Sequence, residues 1–132
     1  MLYISKKMIE PLKNNAIIRE LDKLDLVNGI SGTAIVNRNG LILIPRLPRH
    51  IDNRKFGAMA ATMFEAMETA VTTFNDNVVN LTVEFDEEQL VVYAINEDLI
   101  FTTLIEMNID LGIILIEVEE LIKFIQRFLE GE

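Results

Sequence analysis

The densest group of side chains able to do chemistry lies in one short loop. Arg46, Arg49, His50, Arg54 and Lys55 stand there against a single acid, Asp52. Guanidinium groups meet carboxylates and phosphates in paired hydrogen bonds, so Arg46, Arg49 and Arg54 are candidate contacts to an acidic or phosphate-bearing partner surface. An arginine brought to a transferring phosphoryl group would also stabilise transition-state charge. The bland alternative is a solvated basic loop on an acidic chain. His50 is the single histidine and cysteine is absent, so the usual nucleophile pairs and His-rich metal sites cannot be assembled. His50 reads as a solvated loop residue. Glu117 and Glu120 share a helical face at i, i+3, with Glu119 between them, but helices commonly turn such charges to water. A hard cation needs more converging oxygens. Asp86, Glu87 and Glu88 read as a solvated turn. The phosphate loop Gly-x-x-x-x-Gly-Lys-Ser/Thr does not occur in the sequence. No catalytic set and no cofactor are expected.

Composition narrows the classes further. The 132 residues are half apolar and a quarter charged, which suits one globular domain. Residues 1–75 carry ten basic and seven acidic side chains; residues 76–132 carry two basic and fourteen acidic ones, which together make the net charge of −9. A nucleic-acid-binding domain needs a concentrated basic face, and this balance argues against one. The absence of cysteine fits a reducing, cytoplasmic setting. Met1 to Lys7 place their charges after a short apolar patch, the reverse of a signal peptide. No apolar run approaches the roughly 20 residues that span a bilayer, so membrane insertion is not expected.

The elements that must position the loop follow from periodicity. Residues 1–10 read as a lead-in and residues 11–132 as a single domain. Pro11 suits a helix start, and Leu12, Ile17, Ile18, Leu21, Leu24 and Leu26 recur at helical spacing until Asn28-Gly29. Gly29 to Asn37 and Leu41 to Ile44 read as strands joined by Arg38-Asn39-Gly40, with positive φ expected at both Asn39 and Gly40. Pro45 and Pro48 are expected to stop the second strand. Asp52 can cap a helix running from Arg54 to Phe74. Val79 to Phe85 alternate apolar and polar residues strictly, as a half-buried strand does. Leu90 to Ile95 and Leu99 to Ile105 read as two more strands. Asn108 or Asp110 opens a last helix with Ile114, Val118, Leu121, Ile122 and Ile125 on one stripe. The order helix, two strands, helix, three strands, helix predicts a three-layer α/β/α sandwich with a five-stranded, mainly antiparallel sheet.

The middle of the chain reads as a surface shared with a second copy. On a wheel of about 100° per residue, Phe56, Met59, Ala60, Met63, Met67, Ala70 and Phe74 form an arc expected to cover the sheet. The remaining face carries small side chains, with Glu65 and Glu68 its charges. Small residues let two helices approach closely, though they are also ordinary helix formers. The strand that follows has neither Lys, Pro nor Gly to blunt it if it forms an edge. Pairing with its two-fold copy would then make one ten-stranded sheet. The residues expected at that homodimer interface are Ala58, Met59, Ala61, Thr62, Glu65, Ala66, Thr69 and Thr73 on the helix. Asn80, Thr82 and Glu84 are expected from the strand.

The run Asn28-Gly29-Ile30-Ser31-Gly32-Thr33-Ala34-Ile35-Val36-Asn37-Arg38-Asn39-Gly40-Leu41 resembles the first hairpin of Roadblock-type domains. The Ala- and Met-rich second helix, the strand after it, and Asn108-Ile109-Asp110-Leu111-Gly112 resemble the same pattern, over about residues 12–130. The resemblance implies a homodimer built on the second helix and third strand. It also implies a non-enzymatic adaptor or regulator of small Ras-like GTPases, some members being similar to GTPase-activating partners. A passive scaffold subunit and a small-molecule sensor are the alternatives.

Overall fold

The computed structural model describes residues 11–131, so the expected lead-in, residues 1–10, lies outside the described residues. Pro11 and Leu12 are helical, but the chain breaks at Lys13 and Asn14 before the first full helix, α1 (Asn15–Asp25). The helix therefore starts later than Pro11 suggests. The Asn14 side chain accepts from Ala16 N at 2.8 Å and satisfies one orphan donor of the first turn. The other end also comes early, at Asp25, and Gly29 takes its φ of +101° three residues beyond the cap. A side chain at Gly29 would strike Ile109, so the glycine also admits a close approach.

Strand β1 (Ile30–Asn37) turns into β2 (Ile42–Arg46) through the four residues Arg38 to Leu41, among which Gly40, at φ +89°, is left-handed and Asn39 is not. The positive φ expected at Asn39 is not taken, and Asn37 organises the loop. Its side chain accepts from Asn39 N and Leu41 N, and Gly40 N donates to its carbonyl. Pro45 does not end β2. It pairs opposite Ala34 within the strand, which an edge position tolerates.

Asp52 caps α2 (Asn53–Val71) by accepting from Lys55 N at 3.1 Å, and a 3-10 turn, Thr72–Phe74, ends with Asn75 left-handed at φ 57°. Then come β3 (Asn80–Glu84), β4 (Glu88–Ala94) and β5 (Leu99–Glu106). Asp110, rather than Asn108, caps α3 (Leu111–Glu130) through Gly112 N. The five strands are antiparallel in the order β2-β1-β5-β4-β3. The chain makes β2 at one margin, crosses the sheet with α2, and resumes at the other margin with β3.

Two apolar layers hold the sandwich. Ile17, Leu21 and Leu24 of α1 and Ile114, Val118 and Ile125 of α3 pack with Val91, Phe101 and Ile105 on one face of the sheet. Phe56, Ala60 and Phe64 of α2 pack with Val36, Leu90, Val92 and Ile100 on the other. Each such Val, Leu, Ile or Phe side chain contributes about 1.5–3 kcal/mol by leaving water. The three-layer α/β/α architecture expected from the chain is the one observed.

Candidate functional site

Helix α2 is rotated relative to the wheel-based expectation. Gly57, with Phe56, Ala60, Ala61 and Phe64, faces inward. A Cβ on Gly57 would sit 2.4 Å from the Gly40 carbonyl oxygen, so the glycine lets the helix rest directly on the β1–β2 hairpin. Arg38 of that hairpin fixes the same rotation. It donates to Glu68 at 2.6 Å and to the Asn96 carbonyl at 2.7 Å, and it stacks over the Phe64 ring at 5.2 Å. The expected sheet-covering arc is thus wrong for Met59, Met67, Ala70 and Phe74, which lie outside. Ala61 is displaced the other way, into the core.

This rotation builds an apolar face. Met59 is 37% exposed, Met67 40% and Phe74 73%, and Phe85, just after β3, is 44% exposed, whereas Val79 lies with Tyr93, Glu119 and Ile122 toward α3. Ala58, Thr62, Glu65, Ala66 and Thr69 on α2 and Thr73 in the 3-10 turn are exposed as well, and none of them carries a basic charge. Sequence reading missed Met67, Phe74, Val79 and Phe85 as surface residues. Gly57 was the available signal, because a mid-helix glycine marks the side that must touch backbone.

Strand β3 borders this face and pairs with β4 alone among the described strands, through the register Asn80↔Tyr93 to Glu84↔Gln89. Leu81 packs toward the α2 side of the sheet, so alternation turns Asn80, Thr82 and Glu84, all exposed, to the α1–α3 side. The two margins of the sheet differ in kind. β2 is blunted by Pro45 and by Arg46, whereas β3 offers its free backbone groups with no such device.

The basic loop divides into two parts. Arg46 is engaged within the molecule: its Nε donates to Asp25 and its Nη2 to Asp22, both near the end of α1. Burial opposes the charge, but the hydrogen bonds and proximity of Asp25 and Asp22 outweigh it and raise the guanidinium pKa. Thr33 also donates to Asp25, at 3.1 Å. Arg46 is therefore a tie between α1 and the sheet margin and not a free contact. Arg49, His50 and Arg54 stay exposed. His50 lines an opening of about 620 Å³ together with Ile51, Phe56, Met59, Phe85 and Leu104 and the acids Asp86, Glu87 and Glu88.

On the opposite face Glu119 accepts from the Tyr93 hydroxyl at 2.8 Å; burial, with that bond, raises the Tyr93 pKa. Glu117 and Glu120 are exposed, and among the described residues no group of three acids or histidines is placed to hold a metal ion. No helix among them is long and apolar enough to cross a membrane.

Residues 19–105, from within α1 to the end of β5, match the Roadblock/LC7 domain. The chain belongs to the Roadblock/LC7 family. It is similar to the uncharacterized protein MJ0310 of Methanocaldococcus jannaschii, with 28% identity over 98 residues covering 74% of this chain and 86% of that one. Its fold is that of Myxococcus xanthus MglB, with a TM-score of 0.82 at 15% identity over 91% of this chain and 99% of the other. A Roadblock/LC7 domain from Streptomyces avermitilis aligns with a TM-score of 0.71 at 18% identity, over 83% and 93% of the two chains. Within the Roadblock/LC7 match lie α2, β3 and the basic loop; α3 lies beyond it and is carried by the likeness of fold.

Proposed function

We propose that this Roadblock/LC7 chain is a homodimeric, non-enzymatic adaptor or regulator of a small Ras-like GTPase. The observation that carries the reading is the face made by α2 and β3. An unblunted strand margin lies beside a helix whose outer side is Met, Ala and Thr with few charges, and a second copy of the same face would cover both. Membership of the Roadblock/LC7 family supports the GTPase as partner, and the fold shared with MglB agrees with it. Arg49 and Arg54, exposed at the start of α2, are the side chains through which such a partner would be met. Stimulation of GTP hydrolysis would add only the placing of charge or of the partner's own groups.

The experiment is a binding measurement between the full chain and a Ras-like GTPase from the same organism, loaded in turn with GTP and with GDP. Preference for one nucleotide state is the expected result. Equal binding to both makes the chain a passive scaffold subunit, and binding to neither sinks the GTPase reading.

A further inference from the structure

Helix α3 is apolar on every side over its first two turns. Ile114 and Val118 are buried in the core and Leu111 and Leu115 pack against it, yet Ile113 and Ile116 are 60% and 62% exposed. The buried stripe fixes where these two point. On a wheel of about 100° per residue, Ile116 lies nearly opposite Val118 and Ile113 opposite Ile122, so both face away from the sheet. Isoleucine stabilises a fold by leaving water, and a helix apolar all round is normally covered all round.

An opening of about 380 Å³ continues this face toward β3. Val79, Ala94 and Ile122 give it apolar walls. Beside them Glu119, one turn beyond Ile116 on the same flank of α3, accepts from the Tyr93 hydroxyl at 2.8 Å. Such a slot suits a long side chain with an aliphatic stem and a cationic head.

Charge says what covers the face. Glu120 falls between the two isoleucines on the wheel, with Glu117 and Glu119 to either side, and all three acids are exposed. Glu84 of β3 is exposed on the same side of the sheet. Between Lys55 and Lys123 the sequence has no Lys, Arg or His, so the bases of α3, Lys123 and Arg127, come only after this stretch. Lys23 of the neighbouring α1 is held by Glu20 at 3.1 Å. A second copy of the same face would set carboxylate against carboxylate, and a phosphate-bearing surface would be repelled, whereas a basic partner is complementary.

We infer that the outer face of α3 docks a basic amphipathic helix of another protein. Its apolar stripe lies on Ile113 and Ile116, its lysines or arginines meet Glu117 and Glu120, and one of them enters the slot beside Glu119. This surface lies across the sheet from α2 and does not depend on the proposed dimer or on a GTPase.

The cysteine-free sequence allows a single reporter to be placed on the face. Full-length Ile116→Cys is alkylated with N-ethylmaleimide and followed by mass, alone, with a synthetic helical peptide of Leu and Lys, and with one of Leu and Glu in the same pattern. Fast labelling of the protein alone is expected, with the Leu/Lys peptide at about ten times its Kd slowing it about tenfold and the Leu/Glu peptide leaving it unchanged. Ile113→Ser with Ile116→Ser, which leaves the charge as it is, should raise the Kd of the Leu/Lys peptide about tenfold or more without moving the melting temperature. Glu119→Gln with Glu120→Gln should weaken binding and flatten its dependence on salt. Labelling that is slow without peptide shows the face already covered, by a second copy if it slows with concentration and within the same chain if it does not, and either overturns the inference. So does an affinity for the Leu/Lys peptide that ignores the serine pair, since that is attraction of charge alone.

Discussion

Gly57 and Arg46 show how single residues settle matters that pattern leaves open. Helix propensity alone would favour alanine over glycine by about 1 kcal/mol at an interior helical position. At Gly57 the sign should reverse, because the new methyl would meet the Gly40 carbonyl at 2.4 Å. Gly57→Ala should therefore lower stability, by about 1–3 kcal/mol, as overpacked cores do. Urea unfolding would check it, and a stabilised variant would show that α2 does not rest on the hairpin as described. Arg46→Met removes a guanidinium held by Asp22 and Asp25, and should cost about 1–3 kcal/mol because half-buried Asp25 loses its charged partner. Partner binding should be unaffected. Arg49→Glu with Arg54→Glu predicts the converse: stability within about 0.5 kcal/mol of the parent, and weakened binding to an acidic partner. A binding assay run beside a melt separates the two classes of arginine in one experiment.

At the scale of elements, the sheet has two margins treated differently. β2 carries Pro45 and the engaged Arg46, and β3 carries neither. Natural sheets rarely leave a margin such as β3 open, since its free N–H and C=O groups would pair with any passing strand. Thr82→Lys puts the missing charge onto β3 at an exposed position and, by symmetry, next to its own copy. The dimer should weaken about tenfold or more, with little change in the unfolding of the monomer. The outward amides of β3 should also lose hydrogen-exchange protection as the parent chain is diluted. Protection that ignores both dilution and Thr82→Lys would mean that β3 is covered within its own chain.

For the whole molecule, α1 and α3 fill one side of the sheet and α2 alone the other, and large exposed apolar side chains stand on both, with Leu26, Ile113 and Ile116 on the α1–α3 side. Met59, Met67 and Phe74 are the large exposed apolar side chains of α2 and the turn that ends it, and Phe85 shares an opening with Met59. Sedimentation should give a species of twice 15.1 kDa at micromolar concentration.

The layered order of helices and strands, the cap at Asp52, and the alternation that makes β3 a strand are all local properties, and the amino-acid sequence alone determined them, while the choice of Asp110 over Asn108 as the cap of α3 was left to the structure. The lack of any histidine–cysteine pair or phosphate loop was also legible in the sequence, as a matter of residue types. The rotation of α2 could not be read from hydrophobicity, because methionine and phenylalanine weigh the same whether they face a sheet or a neighbour; the contact of Gly57 with Gly40 and the hold of Arg38 on Glu68 and Phe64 decide it. Which arginine of the basic loop is free was equally hidden, since Asp22 and Asp25 meet Arg46 across more than twenty residues of chain. The position of β3 at the sheet's margin depended on strand order, a long-range pairing that no local pattern encodes.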